Sequence, residues 1–308
     1  MTTTQLITAS FPVRITDDHV SPHDANTAFA AGVEPCVIIY QRRVQPEYPA
    51  INRQLKRENV SWHDARLWDD RVIRDVLWSI DEQALRTHLI ATIPTDYAGY
   101  VMVDLEPGFM WPGMSFYPIG SPPWEASMIL GNTVIDIVKR HAPSAKIGLY
   151  NVNYFPKNTH GRMAYLVESV GKVNEQRRRL NVDVFYPSVY DVFPGESEDH
   201  DWNTKARVGS VAASSRPVIP VINPYVMART GWTLMTPEEY RRDQLALAMG
   251  AGADGVCFWN NRYDAVEDGW IPPARRGIET TIEEGKAHMD IVGQVYLGLA
   301  YLHGLGGG

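Results

Sequence analysis

Cysteine is nearly absent: Cys36 and Cys257 are the two in 308 residues, too few for a disulfide-stapled secreted scaffold. Both stand in apolar runs that read as strands, so buried, reduced thiols are expected. Basic charge is scarce as well. With 29 Lys and Arg against 36 Asp and Glu, the formal charge of −7 argues against a nucleic-acid partner, because neutralising phosphates needs clustered cations. The densest basic stretch, Arg177-Arg178-Arg179, follows a polar helical run and reads as a solvated helix end. No apolar run approaches the roughly 20 residues that span a bilayer. Residues 1–11 lack a basic segment followed by a long apolar core, so neither a membrane partner nor a signal peptide is expected and the chain reads as soluble.

A glycine-rich fingerprint after an early strand is also missing, which removes the usual cradle for a dinucleotide and leaves no cofactor expected. What is present is an alternation of β-branched or aromatic runs with helix-patterned ones, the rhythm of a parallel sheet with crossover helices. Strands are expected at 36–40, 99–105, 146–151, 182–190, 218–224 and 255–259, with an earlier one within 5–15. Helices are expected at 81–93, 126–141, 164–180 and 237–250, the last opened by Thr236 as N-cap and Pro237 at the first helical position. About seven strands is near the number that closes a barrel. The composition, 44% hydrophobic and 21% charged, suits a large buried core. The fold class expected is therefore α/β, a TIM-like (β/α) barrel of seven to eight parallel strands. It would form one domain over 1–308, with a flexible glycine-rich tail at 304–308.

In such barrels the working groups sit at the C-terminal ends of strands. The strand at 99–105 runs out in Val-Asp-Leu-Glu, and the period of two along a strand points Asp104 and Glu106 the same way. Like charges that close are costly to ionise together, so one carboxyl is expected to keep its proton near neutral pH and to serve as a general acid. Other strand ends carry Tyr150 and Asn151, Tyr190 and Asp191, Asn223 and Tyr225, and Trp259 with Asn260; Tyr40 ends the first clear strand. Rings that stack on pyranose faces, beside amides that bond hydroxyls, point to a sugar-binding cleft and a polysaccharide or oligosaccharide partner. No metal is expected. The acidic residues at 196–201 and 17–24 read as solvated loops and lack a helix-fixed spacing such as His-Glu-x-x-His.

Four segments together resemble the hyaluronidase family of glycoside hydrolases. The stretch HLIATIPTDYAGYVMVDLEPGFMWP at 88–112 is similar to the family's helix, Ile-Pro turn and strand that delivers Asp-x-Glu. KIGLYNVNYFP at 146–156 is similar to its Trp-Gly-Tyr-Tyr strand, FYPSVY at 185–190 to its Leu-Pro-Ser-Val-Tyr strand, and AGADGVCFW at 251–259 to its Gly-Ala-Asp-Gly-…-Trp strand. The resemblance implies Glu106 as general acid/base and Asp104 as the group that orients the substrate's own N-acetyl. Tyr150, Tyr190 and Trp259 would enclose that acetamido group. It implies substrate-assisted catalysis with retention, in which the acetamido oxygen attacks the anomeric carbon, a known exception to the two-carboxylate scheme.

The chain departs from the family in lacking its disulfides, and Pro107-Gly108-Phe109-Met110 replaces the aromatic-Arg-Pro continuation after the Glu. The first departure implies a distant microbial or viral member. The second, with the net acidity, speaks against a uronate polymer as substrate. Two other readings stay open: a glycosidase for a different polymer with Asp191 as nucleophile, and a non-catalytic carbohydrate-binding barrel.

Overall fold

Runs such as Tyr-Val-Met-Val-Asp become strands because β-branched and aromatic side chains pack on a pleated surface better than on a helix. A computed structural model describes residues 13–16, 34–46, 80–105, 117–151, 162–189, 205, 208–209, 211, 215–222, 225–228, 231–234 and 240–258. Its strands are β1 (Val13–Thr16), β2 (Glu34–Tyr40), β3 (Tyr100–Asp104), β4 (Lys146–Tyr150), β5 (Val184–Tyr186), β6 (Val221–Ile222), β7 (Tyr225–Ala228), β8 (Gly231–Leu234) and β9 (Val256–Phe258). Helices are α1 (Gln41–Val44), α2 (Glu82–Thr92), α3 (Pro122–His141), α4 (Arg162–Arg179) and α5 (Leu247–Gly250), the last preceded by a π-helical segment, Tyr240–Ala246. The chain divides into two compact units, Val37–Pro187 with Ala213–Arg216, and Met1–Cys36 with Ser188–Ala212 and Pro217–Gly308. The division falls within β2.

In the unit built on Val37–Pro187 the strand order is β5-β4-β3-β2. β3 and β4 are parallel, Tyr100 opposite Lys146 through Val103 opposite Leu149, and β4 and β5 are parallel, Gly148 opposite Val184 through Tyr150 opposite Tyr186. Every residue of β3 is buried, as in parallel sheets whose two faces are both covered. α3 packs on β4 and on α2, and its Val134, Ile135 and Val138 join Val101, Val103, Ile147 and Leu149 in the core. α2 starts where Asp81 caps it, its carboxylate accepting from the Ala84 N–H at 2.8 Å. At the other end, His141 Nε2 lies 2.6 Å from the Ile93 carbonyl, which only accepts, so this nitrogen carries the proton.

Aspartates tie the starts of parallel strands together by one device in each unit. Asp183, just before β5, donates its N–H to the Ile147 carbonyl at 2.7 Å, while its carboxylate accepts the Ile147 N–H at 3.1 Å. The same carboxylate meets Lys139 Nζ at 3.0 Å. Asp254, ahead of β9, donates to the Val218 carbonyl and accepts the Val218 N–H, both at 2.8 Å. Asp183→Ala strips the Ile147 amide of its acceptor and leaves Lys139 without its carboxylate. It is expected to cost about 1–2 kcal/mol, read as a lowered midpoint in urea at unchanged slope.

In the unit built on Val37–Pro187, Arg179 forks onto Glu125 at 2.9 and 2.7 Å and lies 4.9 Å from the ring centroid of the fully buried Trp124. The Arg179 hydrogen bond holds the Glu125 carboxyl below its ordinary 4.5, against an opposing push from burial. A depressed carboxylate contributes stability above its unfolded value and loses it as pH falls through the folded one. The difference in melting temperature between the parent and Glu125→Gln is therefore expected to be constant from pH 7 to about pH 5 and to shrink as the pH drops below 4.5.

The other unit has the order β2-β1-β9-β6, with β1 parallel to β2 and to β9, and β6 parallel to β9. Cys36 and Cys257 are buried free thiols on β2 and β9.

Several boundaries differ from the sequence expectation for identifiable reasons. The strand expected at 182–190 is β5 alone followed by one bridge, Ser188 to Val221, because Pro187 has no N–H for a ladder. Of the strand expected at 218–224, β6 begins only after Pro220, whose carbonyl accepts from the Cys257 N–H, and residues 223–224 lie outside the described residues. α3 begins four residues before the expected 126, since Pro122 and Pro123 occupy its first positions, where no intrahelical N–H is needed. The helix expected at 237–250 is π-helical over Tyr240–Ala246, and its expected caps, Thr236 and Pro237, lie outside the described residues. The antiparallel pair β7–β8 was not expected.

Candidate site at the strand ends

Parallel strands, buried along nearly their whole length here, bring the last residue of each to one edge of the sheet. β3 ends on Asp104, β4 on Tyr150 and β5 on Tyr186. The register pairs Tyr150 with Tyr186, and continuing Val103–Leu149 by one step sets Asp104 beside Tyr150. Cα partners in a parallel sheet send their side chains to the same face. A carboxylate and two phenols thus form a row across three consecutive strands. All three residues are buried, with Asp104 7% exposed, Tyr150 4% and Tyr186 0%. Tyr40 closes β2, the neighbour of β3.

Gly148 makes the row possible. It stands two residues before Tyr150 on the same face, opposite Val184. A Cβ at this position would collide with the Val184 carbonyl oxygen and lie 2.8 Å from two atoms of the Tyr186 ring. The absent side chain is the space into which that ring folds. Asn151 follows Tyr150 with φ of 54° and donates its N–H to the Tyr186 carbonyl at 2.8 Å.

Of the residues singled out in the sequence, the structure brings Asp104, Tyr150 and Asn151 together, with Tyr40 on the neighbouring strand. Tyr225 opens β7, paired with Leu234 of β8 in the other unit. Glu106, Tyr190, Asp191, Asn223, Trp259 and Asn260 lie outside the described residues. Tyr186 is the residue of this row that the sequence reading passed over: with the strand carried through to 190 it stood in mid-strand, and Pro187 was the sign that the strand ends before it. Among the described residues no group of three or more His, Cys, Asp or Glu is placed to hold a metal ion. No helix among them is long and apolar enough to cross a membrane.

No protein-family model matches the sequence, and no curated protein matches it. Solved structures do match by shape. Bee venom hyaluronidase, in a monoclinic crystal form, superposes with a TM-score of 0.56 at 16% identity, over 83% of this chain and 92% of that one. Bee venom hyaluronidase in complex with a hyaluronic acid tetramer gives 0.55 at 16% identity, over 82% and 91%. The chain therefore has a parallel α/β fold similar to that of a hyaluronidase.

Proposed function

We infer that the protein is a glycoside hydrolase, cleaving a polysaccharide at an N-acetylhexosamine with retention and with help from the substrate's own acetamido group. The observation that carries this reading is the strand-end row, Asp104 next to Tyr150 on consecutive parallel strands, in a chain with a hyaluronidase-like fold. The sheet is taken to close as a TIM-like barrel in one domain. An oligosaccharide partner is supported by the similar structure that holds a hyaluronic acid tetramer.

In this account Glu106 protonates the glycosidic oxygen as the bond to the anomeric carbon breaks, while the acetamido oxygen attacks that carbon from the other face. Positive charge builds on the acetamido group, and the Asp104 carboxylate stabilises it where water is excluded. Glu106 then takes a proton from the water that opens the cyclic intermediate, so one residue acts as acid and then as base. Tyr150, Tyr190 and Trp259 enclose the acetamido group, and Tyr40, Asn151, Asn223, Tyr225 and Asn260 line the neighbouring sugar positions. Asp191 has no chemical step in this scheme and binds sugar.

The test is a reducing-end assay on hyaluronan, chondroitin and chitin oligomers. New reducing ends from at least one of them are the expected result; binding of an oligomer with no cleavage of any would replace the hydrolase by a carbohydrate-binding barrel.

A further inference from the structure

Among the described residues Asn151 is the one non-glycine with a positive φ, 54°. That left-handed conformation crowds a Cβ against the following carbonyl, and Asn adopts it more readily than other residues with a side chain. Asn151 is nonetheless buried, so its conformation is set by packing and not by a loose surface turn. Its N–H bonds the Tyr186 carbonyl at 2.8 Å, immediately after the Tyr150–Tyr186 pair. β4 ends one residue earlier, at Tyr150, while the Asn151 amide is still held by the neighbouring strand. Strained backbone of this kind persists where the surroundings over-determine it, and it gathers at functional sites.

We propose that Asn151 is a positioning residue: its left-handed backbone, hooked to the Tyr186 carbonyl, fixes Tyr150 in the row beside Asp104. It acts through its φ angle, and the sugar contact assigned to it above is secondary to this. The proposal rests on the hydrolase reading for its activity readout alone.

The test uses Asn151→Gly, Asn151→Ala and Asn151→Val in the full chain. It reads kcat and KM on whichever polymer the parent cleaves, and fluorine NMR on protein labelled with 3-fluorotyrosine. The Tyr150 resonance is assigned by its loss in Tyr150→Phe. Gly takes the angle freely, Ala is crowded and β-branched Val most of all. All three variants lose the side chain that lines a sugar position and are expected to share one rise in KM, while the kcat losses are less than about threefold for Gly and at least about thirtyfold for Val, with Ala between, the signature of an effect on the transition state added to a common loss of binding. The Tyr150 resonance stays in place in the Gly variant and moves in the Val variant. Equal losses in Gly and Val would assign the role to the side chain and overturn the proposal, as would an unmoved Tyr150 resonance in a folded Val variant. Should Val fail to fold, Ala against Gly carries the same comparison. Should the parent cleave nothing, the hydrolase reading falls by itself, and the fluorine shift still decides whether Asn151 holds Tyr150.

Discussion

Glu106→Gln is expected to lower turnover by at least about a thousandfold, near the top of the range for losing a general acid and base, and to leave thermal unfolding where it is in the parent. Gln keeps the length and shape of Glu and can still accept a hydrogen bond. Its amide has no proton to deliver to the leaving oxygen and cannot take one from water. Both halves of the proposed cycle need that proton, so the substitution removes an interaction made in the transition state and should reduce kcat far more than it changes KM. Retention of more than about a tenth of the parent's turnover, well above a general acid's loss, would remove Glu106 from the role.

Gly148→Ala carries the largest expected effect on stability. The added Cβ meets two obstacles at once, the Val184 carbonyl oxygen and the Tyr186 ring at 2.8 Å. A flexible side-chain tip could move aside at little cost, but the first obstacle is backbone in a hydrogen-bonded ladder and the second is a fully buried ring. Overpacking of this sort costs about 1–3 kcal/mol, and the upper end applies because neither neighbour can yield alone. At roughly 2–4 °C per kcal/mol for a large domain, the melting temperature should fall by about 5–10 °C. Adding Tyr186→Leu to Gly148→Ala frees the ring clash and leaves the carbonyl one, so the double variant should recover part of the loss. A cycle with no coupling between the two positions would mean that Tyr186 does not occupy the space beside Gly148.

The strands and helices with strong local signals were legible in the sequence. The helix expected at 81–93 is α2 with Asp81 and Ile93 as its caps, because Asp at an N-cap is chemistry that the chain writes locally. β2, β3 and β4 lie where their apolar runs put them. The misses come from effects that a periodicity does not carry. Pro187 and Pro220 interrupt strands by withholding a donor, although the apolar run continues through them. The π-helical turn at Tyr240–Ala246 shifts the helical period without changing which residue types are used. β7 and β8 escaped because Arg229-Thr230, between them in sequence, is not a hairpin-type dipeptide such as Asn-Gly.

The site was legible to a similar degree. Alternation along one strand gave Asp104 its place, but the register between strands is a tertiary property, and it is the register that sets Asp104 beside Tyr150 and Tyr150 beside Tyr186. Gly148 carried no signal of its own in the sequence. Its meaning comes from a ring thirty-eight positions away that fills the space it leaves. Asn151 was read as a polar side chain at a strand end, and its φ of 54° could not be seen without coordinates.

Acetamido assistance is the claim on which the rest depends, and the most direct measurement of it compares two versions of one substrate. Reducing ends are counted from a chitin oligomer, or another N-acetylated polymer that the chain cleaves, and from its de-N-acetylated counterpart at the same concentration. The account predicts cleavage of the acetylated form alone, abolished in Glu106→Gln. Equal cleavage of both forms would contradict it, because a nucleophile supplied by the protein would then be doing the work assigned to the substrate.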